Sequence, residues 1–248
     1  MNKSKITCIW GSPSSGKTIC ALSLAAVLAQ EKKNVIVFST DKLVPALKLY
    51  CPEADIDSSR SIGSLLMSGR YDDAMFSQKL VTHPESEFIA FLGMAPSDTY
   101  ITYANFERSN VVSVINKAAQ LADHVIIDGS SNPVDDALTL CAMELSDIIV
   151  RVITADVRGL IYLDSARAIY SEAKYKFDSQ ITVLGNVHNV SPVSEVMSVS
   201  GKYDYVLPYS SEIENRYIAG ELLCDMKRSV SRRFERQIRD MAKGIEEA

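Results

Sequence analysis

The chain has 248 residues, with 26 Lys and Arg against 31 Asp and Glu, a formal net charge of −5, and hydrophobic and charged fractions of 47 % and 23 %. That mix excludes general disorder and can bury a large core, so residues 1–248 are read as a single α/β domain. No run approaches the ~18 apolar residues of a bilayer span, and the apolar run behind the basic N-terminus Met1-Asn2-Lys3-Ser4-Lys5 stops at Gly11, too soon for a signal-peptide core; a cytoplasmic protein is expected.

In chain order, an apolar strand over 6–10 runs through a Gly- and Ser-containing turn into a helix over 17–31. That helix is rich in Ala and Leu nearly all round, which predicts packing on more than one side. A strand over 34–39 follows, then a short helix over 43–49 with Pro45 near its start. Residues 52–86 are irregular, with short helices near 62–68 and 72–80, and read as an insertion on the rim of a sheet. Strands over 87–93, 124–128, 147–153, 180–186 and 203–207 then alternate with helices over 105–121, 133–144, 160–176 and 227–246. Several strands are apolar throughout, as when both faces are covered. The pattern predicts a three-layer αβα fold around a mainly parallel, twisted sheet of about seven strands.

Cys8, Cys20, Cys51, Cys141 and Cys224 are scattered, with no C-x-x-C pair, and the three histidines are equally dispersed. Neither a zinc site nor a G-x-S-x-G nucleophile elbow can be assembled from local sequence.

The segment Gly11-Ser12-Pro13-Ser14-Ser15-Gly16-Lys17-Thr18 matches G-x-x-x-x-G-K-[ST] without deviation. It follows a strand and opens a helix, and the chemistry requires both. Strand-to-helix reversal points successive backbone N–H groups into one concavity at the positive end of the helix dipole. Ser14, Ser15 and Gly16 would cradle phosphates, with Gly11, Ser12 and Ile19 flanking them. Lys17 would neutralise β/γ charge, and Thr18 would offer a hydroxyl to Mg²⁺. The magnesium shell also needs a carboxylate, and Val125-Ile126-Ile127-Asp128 ends a strand in one, followed by Gly129-Ser130-Ser131. The competing reading, Asp128 as a loop cap, is the commoner use of such an Asp in isolation.

The order of these segments resembles the ParA/MinD division of P-loop ATPases, including the TadZ/CpaE-like proteins of pilus assembly. Asn34-Val-Ile-Val-Phe-Ser-Thr-Asp41 looks like that family's second strand and acidic switch I, and Ser61-Ile-Gly-Ser-Leu-Leu66 like its short helix. Phe91-Leu-Gly-Met-Ala-Pro96 resembles a strand ending in a small-residue loop, and residues 124–131 match the metal-side strand and switch II. Leu184-Gly-Asn186 looks like the strand ending in an adenine-contacting Asn. Val206-Leu-Pro208-Tyr209 with Ala219-Gly220 resembles the terminal Pro-Tyr…Gly segment. The resemblance implies ATP and Mg²⁺ as cofactors, an ATP-dependent homodimer, a γ-phosphate-sensing amide at Gly129, adenine contacts at Asn186 and Pro208, and a catalytic set of Lys17, Asp41 and Asp128. It implies that Asp41 joins Thr18 and Asp128 at the metal; capping of the following helix is the alternative for Asp41. The implied task is positioning a cargo: a plasmid, a pilus or secretion apparatus, or a division component.

Two departures bear on turnover. Ser12 stands where the family carries a lysine that reaches across the dimer, and Ser39 stands where switch I usually has its first acid. A serine hydroxyl is a poor base near neutral pH, so the alternative reading is a nucleotide-bound scaffold with little hydrolysis. A small-molecule kinase lacks support, because no Arg-rich lid follows the core.

The last helical pattern carries Lys227, Arg228, Arg232, Arg233, Arg236, Arg239 and Lys243 against Glu235 and Asp240, so 227–243 is +5 and the rest of the chain −10. Val230, Phe234, Ile238, Met241 and Ile245 recur at helical spacing. This amphipathic helix is read as docked by its stripe with its charges solvated. The other reading is contact with an anionic surface: a membrane, a polar protein hub, or DNA, the last disfavoured by the acidic remainder.

Overall fold

The computed structural model describes residues 4–96, 98, 101–103, 105–132 and 137–248. Its elements in chain order are β1 (Lys5–Gly11), α1 (Lys17–Gln30), β2 (Val35–Ser39), α2 (Leu47–Tyr50), α3 (Gly63–Ser68), α4 (Asp73–Ser77), β3 (Val81–His83), β4 (Ser86–Leu92) and α5 (Arg108–Leu121). The second half continues with β5 (His124–Asp128), α6 (Ala137–Leu145), β6 (Ile148–Thr154), α7 (Val157–Ile169), β7 (Ile181–Val187), α8 (Val193–Ser200), β8 (Tyr205–Pro208), α9 (Ser211–Ala219) and α10 (Ser229–Glu247). The eight-stranded sheet has the order β3-β4-β2-β5-β1-β6-β7-β8, parallel except for the antiparallel β3 edge.

Alternation along β1 builds both faces of the core. Cys8 and Trp10 pack under α5–α8, while Ile9 packs under α1 and α10. Helix α1 buries nine residues, from Cys20 round to Ala29, because it is covered by the sheet on one side and by α10 on the other. All five cysteines are buried, and none is in a disulfide. Burial pushes the Cys51 and Cys224 thiols up to about 11 and Cys20 up to about 12, so they act as small hydrophobes.

The seven expected strands are present, and the short β3 edge is an eighth. The expected helix over 43–49 is a single turn, Leu47–Tyr50, because Asp41 ties the preceding loop into a turn of its own: Leu43 N and Val44 N donate to its Oδ1 at 2.8 and 2.9 Å. The helix expected over 160–176 begins earlier and ends at Ile169. Asp156 caps its start through Gly159 N at 2.8 Å, and short 3₁₀ turns occupy 173–179. Helices α8 and α9 were not anticipated. Residues 133–136 of the expected helix over 133–144 lie outside the described residues; its remainder forms α6. The segment over 52–86 is more than a rim insertion, since Ile62, Leu65, Leu66 and Phe76 are fully buried in the core.

The apolar stripe of α10 is spent on that core. Phe234, Ile238, Met241 and Ile245 are buried against α1 and β8, whereas Val230 is half exposed. The end of α10 is clamped electrostatically. Lys5 Nζ donates to the carbonyls of Ile245 and Glu246, both at 2.7 Å, and the Glu246 carboxylate meets Lys33 at 3.0 Å and His124 Nε2 at 2.5 Å. Burial holds His124 below its ordinary value against the pull of Glu246, while Lys33 and His124 hold Glu246 below its own despite burial. A depressed histidine stabilises the fold above its unfolded value, near 6.5, and that contribution is lost on acidification; a depressed carboxylate is lost in the same direction at lower pH. The melting temperature is therefore expected to fall between pH 7 and pH 5, and His124→Asn to flatten the slope by at most about 1.4 kcal/mol per pH unit, as read by thermal denaturation across that range.

Candidate functional site

The strands from β5 to the β8 edge end together on one side, where the order of a parallel sheet leaves a crevice. β1 ends in the phosphate-loop motif, β5 in Asp128, β6 in Thr154, β7 beside Asn186 and β8 at Pro208. Gly11 makes the turn out of β1. Its φ is 147°, and a Cβ there would lie 1.7 Å from Val152 O. The loop then turns through Ser14 at φ 58° and Gly16 at φ 84° into α1, the alternation of conformations that gathers backbone N–H groups into an anion-binding concavity. From below, Gly185 presses on the loop, and a Cβ there would lie 2.0 Å from Ser15 O.

Ser12 is 2 % exposed and faces inward. Its N–H donates to Val152 O at 3.0 Å, and its Oγ accepts from Thr154 N at 3.0 Å. Its carbonyl accepts from Ser15 Oγ at 2.8 Å and from Lys17 Nζ at 2.9 Å. Ser12 thus fastens the loop to β6. Lys17 also donates to Ser131 Oγ at 2.6 Å. Burial lowers its pKa, with the charges of Asp128 and then Asp41 opposing the shift.

Asp128 is buried, and its Oδ2 accepts from Thr18 Oγ1 at 2.8 Å and from Tyr50 OH at 2.6 Å. Burial raises its pKa, opposed by the bonds from Tyr50 and Thr18 and by Lys17. Among the described residues no group of three or more His, Cys, Asp or Glu side chains could cage a metal. A hydroxyl beside one carboxylate fits Mg²⁺ nonetheless, since that ion is ordinarily held by one or two carboxylates with the remaining positions filled by phosphate and water.

The pocket beside the loop has a volume of about 280 Å³, close to the lower end of small-molecule sites. It brings together the predicted Ser14, Ser15, Gly16, Lys17, Thr18, Ile19, Asn186 and Pro208. Its apolar wall comes from α9 and α10, through Ile213, Tyr217 and Phe234. Asn186 has φ 53° and donates from Nδ2 to Ser14 O at 3.2 Å, so it also braces the loop.

Five predicted residues lie apart from this lining, among them Asp128, which meets it only through its bond from Thr18. Gly11 and Ser12 sit beneath the loop. The Gly129 amide, expected to face a γ-phosphate, donates instead to Ile9 O at 2.8 Å and extends the β1–β5 pairing. Asp41 closes its own turn with Oδ1 and heads no helix, although its charge is felt at Lys17 and Asp128.

Several participants escaped the sequence reading. Tyr50 carries no motif. Ser131 touches Lys17 through a tertiary contact and is itself held by Tyr162 OH, which donates to its carbonyl at 3.0 Å. Helix α9 did leave a signal: Ser210 at the N-cap, Glu212 and Glu214 in the first turn, and Gly220 in the left-handed conformation after its end. At the rim, the His188 and Tyr209 rings stack with centroids 4.3 Å apart, and Tyr209 OH donates to Glu214 at 2.6 Å.

No protein-family model and no curated protein matches the sequence. Solved structures match across nearly the whole chain. A ParA family ATPase from Chlorobium tepidum superposes with a TM-score of 0.72 at 19 % identity, covering 97 % of this chain and 99 % of that one. The septum site-determining protein MinD from Pyrococcus horikoshii, complexed with Mg-ADP, gives 0.71 at 14 % identity over 98 % and 96 %. A Cyanothece McdA variant in complex with ATP gives 0.73 at 13 % identity over 99 % and 98 %. The conserved architecture at such low identity shows that this chain has the fold of the ParA, MinD and McdA ATPases.

Proposed function

We propose that this chain is a Mg·ATP-binding ATPase of the ParA/MinD kind, which dimerises with ATP, hydrolyses it slowly and thereby changes its affinity for a partner or cargo. The observation that carries the reading is the convergence of Lys17, Thr18 and Asp128 on a loop whose backbone is wound for an anion. Thr18 and Asp128 would hold Mg²⁺, which when bound neutralises charge on the phosphates. Lys17 would exchange its contacts with Ser12 and Ser131 for phosphate oxygens. That exchange would free Ser131 and, through it, the bond from Tyr162 on α7. The pocket wall of α9 and α10 would take the base.

Slow turnover is supported by two positions. Ser39, paired with Asp128 across β2 and β5, supplies a hydroxyl where a carboxylate base would serve. Ser12 is buried and fully engaged within its own chain, so it reaches no partner phosphate. The same two features favour the scaffold as the second reading. The basic residues of α10 face solvent, with Arg239 bound to Glu235 and Gln30. Because the stripe beneath them is buried in the core, an anionic partner would be met by charge alone, without insertion of apolar side chains. Among the described residues no helix is long and apolar enough to cross a membrane.

Equilibrium dialysis at millimolar Mg²⁺ is expected to show ATP and ADP retained. Light scattering after size exclusion is expected to show a dimer with ATPγS and a monomer in the apo and ADP forms. A chain monomeric in all three forms would remove the switch, and phosphate release no greater than that of Lys17→Ala would leave the scaffold.

A further inference from the structure

We propose that the Tyr50 hydroxyl positions the Asp128 carboxylate for a divalent cation, so that Tyr50 sets how strongly Mg²⁺ reinforces nucleotide binding. The inference rests on the nucleotide-site reading above and adds a residue that no motif marks.

Tyr50 ends the single turn α2 and is 2 % exposed, with its ring 5.0 Å from that of Phe91. Its hydroxyl donates to Asp128 Oδ2 at 2.6 Å, and Thr18 donates to the same oxygen at 2.8 Å. Two hydroxyls converging on one carboxylate oxygen fix the plane of the group. Among the described residues Oδ1 receives no hydrogen bond, so the second oxygen is held in a defined direction with its acceptor capacity intact. Thr18 spends its proton on Asp128 and keeps its lone pairs for a cation.

Phenol-to-carboxylate bonds are short and charge-assisted. This one fixes the orientation of a buried carboxylate. A phenylalanine would fill the same space with one buried polar atom fewer, so packing on Phe91 does not account for the hydroxyl. Tyr50 also closes the turn α2 that follows the loop carrying Asp41, which joins that segment to the metal-side acid by one side chain. Tyr50 is accordingly a positioning residue: it touches neither nucleotide nor metal and acts through Asp128.

Outer partners of metal ligands are typically worth about 10–100-fold in metal affinity. The test uses the full chain and compares Tyr50→Phe with wild type by calorimetric titration of ADP and ATPγS, once with excess Mg²⁺ and once with EDTA. The expected result is an unchanged affinity in EDTA, within about twofold, and a loss of about tenfold or more in the Mg²⁺-dependent gain. A Mg²⁺ titration of the nucleotide complex should shift to higher concentration by the same factor. Phe91→Leu disturbs the ring packing and leaves the hydroxyl; it should lower the melting temperature and keep the Mg²⁺ gain. An unchanged gain in Tyr50→Phe overturns the proposal, as does an equal loss in Mg²⁺ and EDTA, or the same loss of gain in Phe91→Leu. If wild type retains no nucleotide under either condition, the nucleotide-site reading falls together with this one. If wild type binds and only the Tyr50→Phe comparison fails, the site stands without Tyr50.

Discussion

Lys17→Met is expected to weaken ATP binding by about 10–100-fold while raising the melting temperature of the nucleotide-free protein. A hydrogen bond to a charged group contributes about 1.5–3 kcal/mol, which sets the first figure at 1.4 kcal/mol per tenfold. The second effect follows from the sign of the pKa shift. Burial lowers the folded value of Lys17 below the unfolded one, 10.5, even with Asp128 and Asp41 nearby. A base shifted in that direction costs stability wherever the folded ammonium is charged, which includes neutral pH, and the cost is relieved only as pH rises towards the unfolded value. Methionine occupies the space without the charge. Opposite signs for affinity and stability, read by calorimetry and thermal denaturation, would identify Lys17 as a residue kept for binding at the expense of the fold. A variant that loses both would mark it as structural.

Gly11→Ala should be the most damaging small substitution in the chain. The added methyl would meet Val152 O at 1.7 Å, and the backbone already sits at φ 147°, outside the range that L side chains accept readily. Relief would require β1 and β6 to part, yet Gly11 pairs with Val152 and the next amide, Ser12 N, donates to that carbonyl. A loss of about 3 kcal/mol or more is expected, which for a domain of this size lowers the melting temperature by about 6–12 °C. Nucleotide retention should fall with it, because Ser12 and the Lys17 carbonyl contact ride on the same turn. An unshifted melting temperature would show that the β1–β6 seam is looser than its pairing implies.

Ser12 explains how the phosphate loop keeps its shape with a serine at its second position. Each of its polar groups is engaged: the amide on Val152, the hydroxyl under Thr154, and the carbonyl over Ser15 and Lys17. A side chain committed in this way braces its own subunit. If the chain dimerises around ATP, contacts across that interface must come from other residues.

Local sequence determined the phosphate loop, the strand ending in Asp128, the parallel sheet and the helical stripe of α10. Each is announced by local residue types, by side-chain periodicity or, for the sheet, by the alternation of strand and helix patterns along the chain, and such signals are complete before the chain folds. Asp41 already sits at the edge of that legibility: the residue is plain, yet its own turn displaced the helix that capping, the alternative to its metal role, would have begun. Tertiary structure alone decided that Tyr50 reaches Asp128 across 78 residues and Ser131 reaches Lys17 across 114. It also decided that the Gly129 amide is taken by Ile9, that β3 closes the sheet edge, and that the stripe of α10 is buried against α1. These depend on which elements become neighbours, a choice made by burying apolar area over the whole sheet, and no short window of residues contains it.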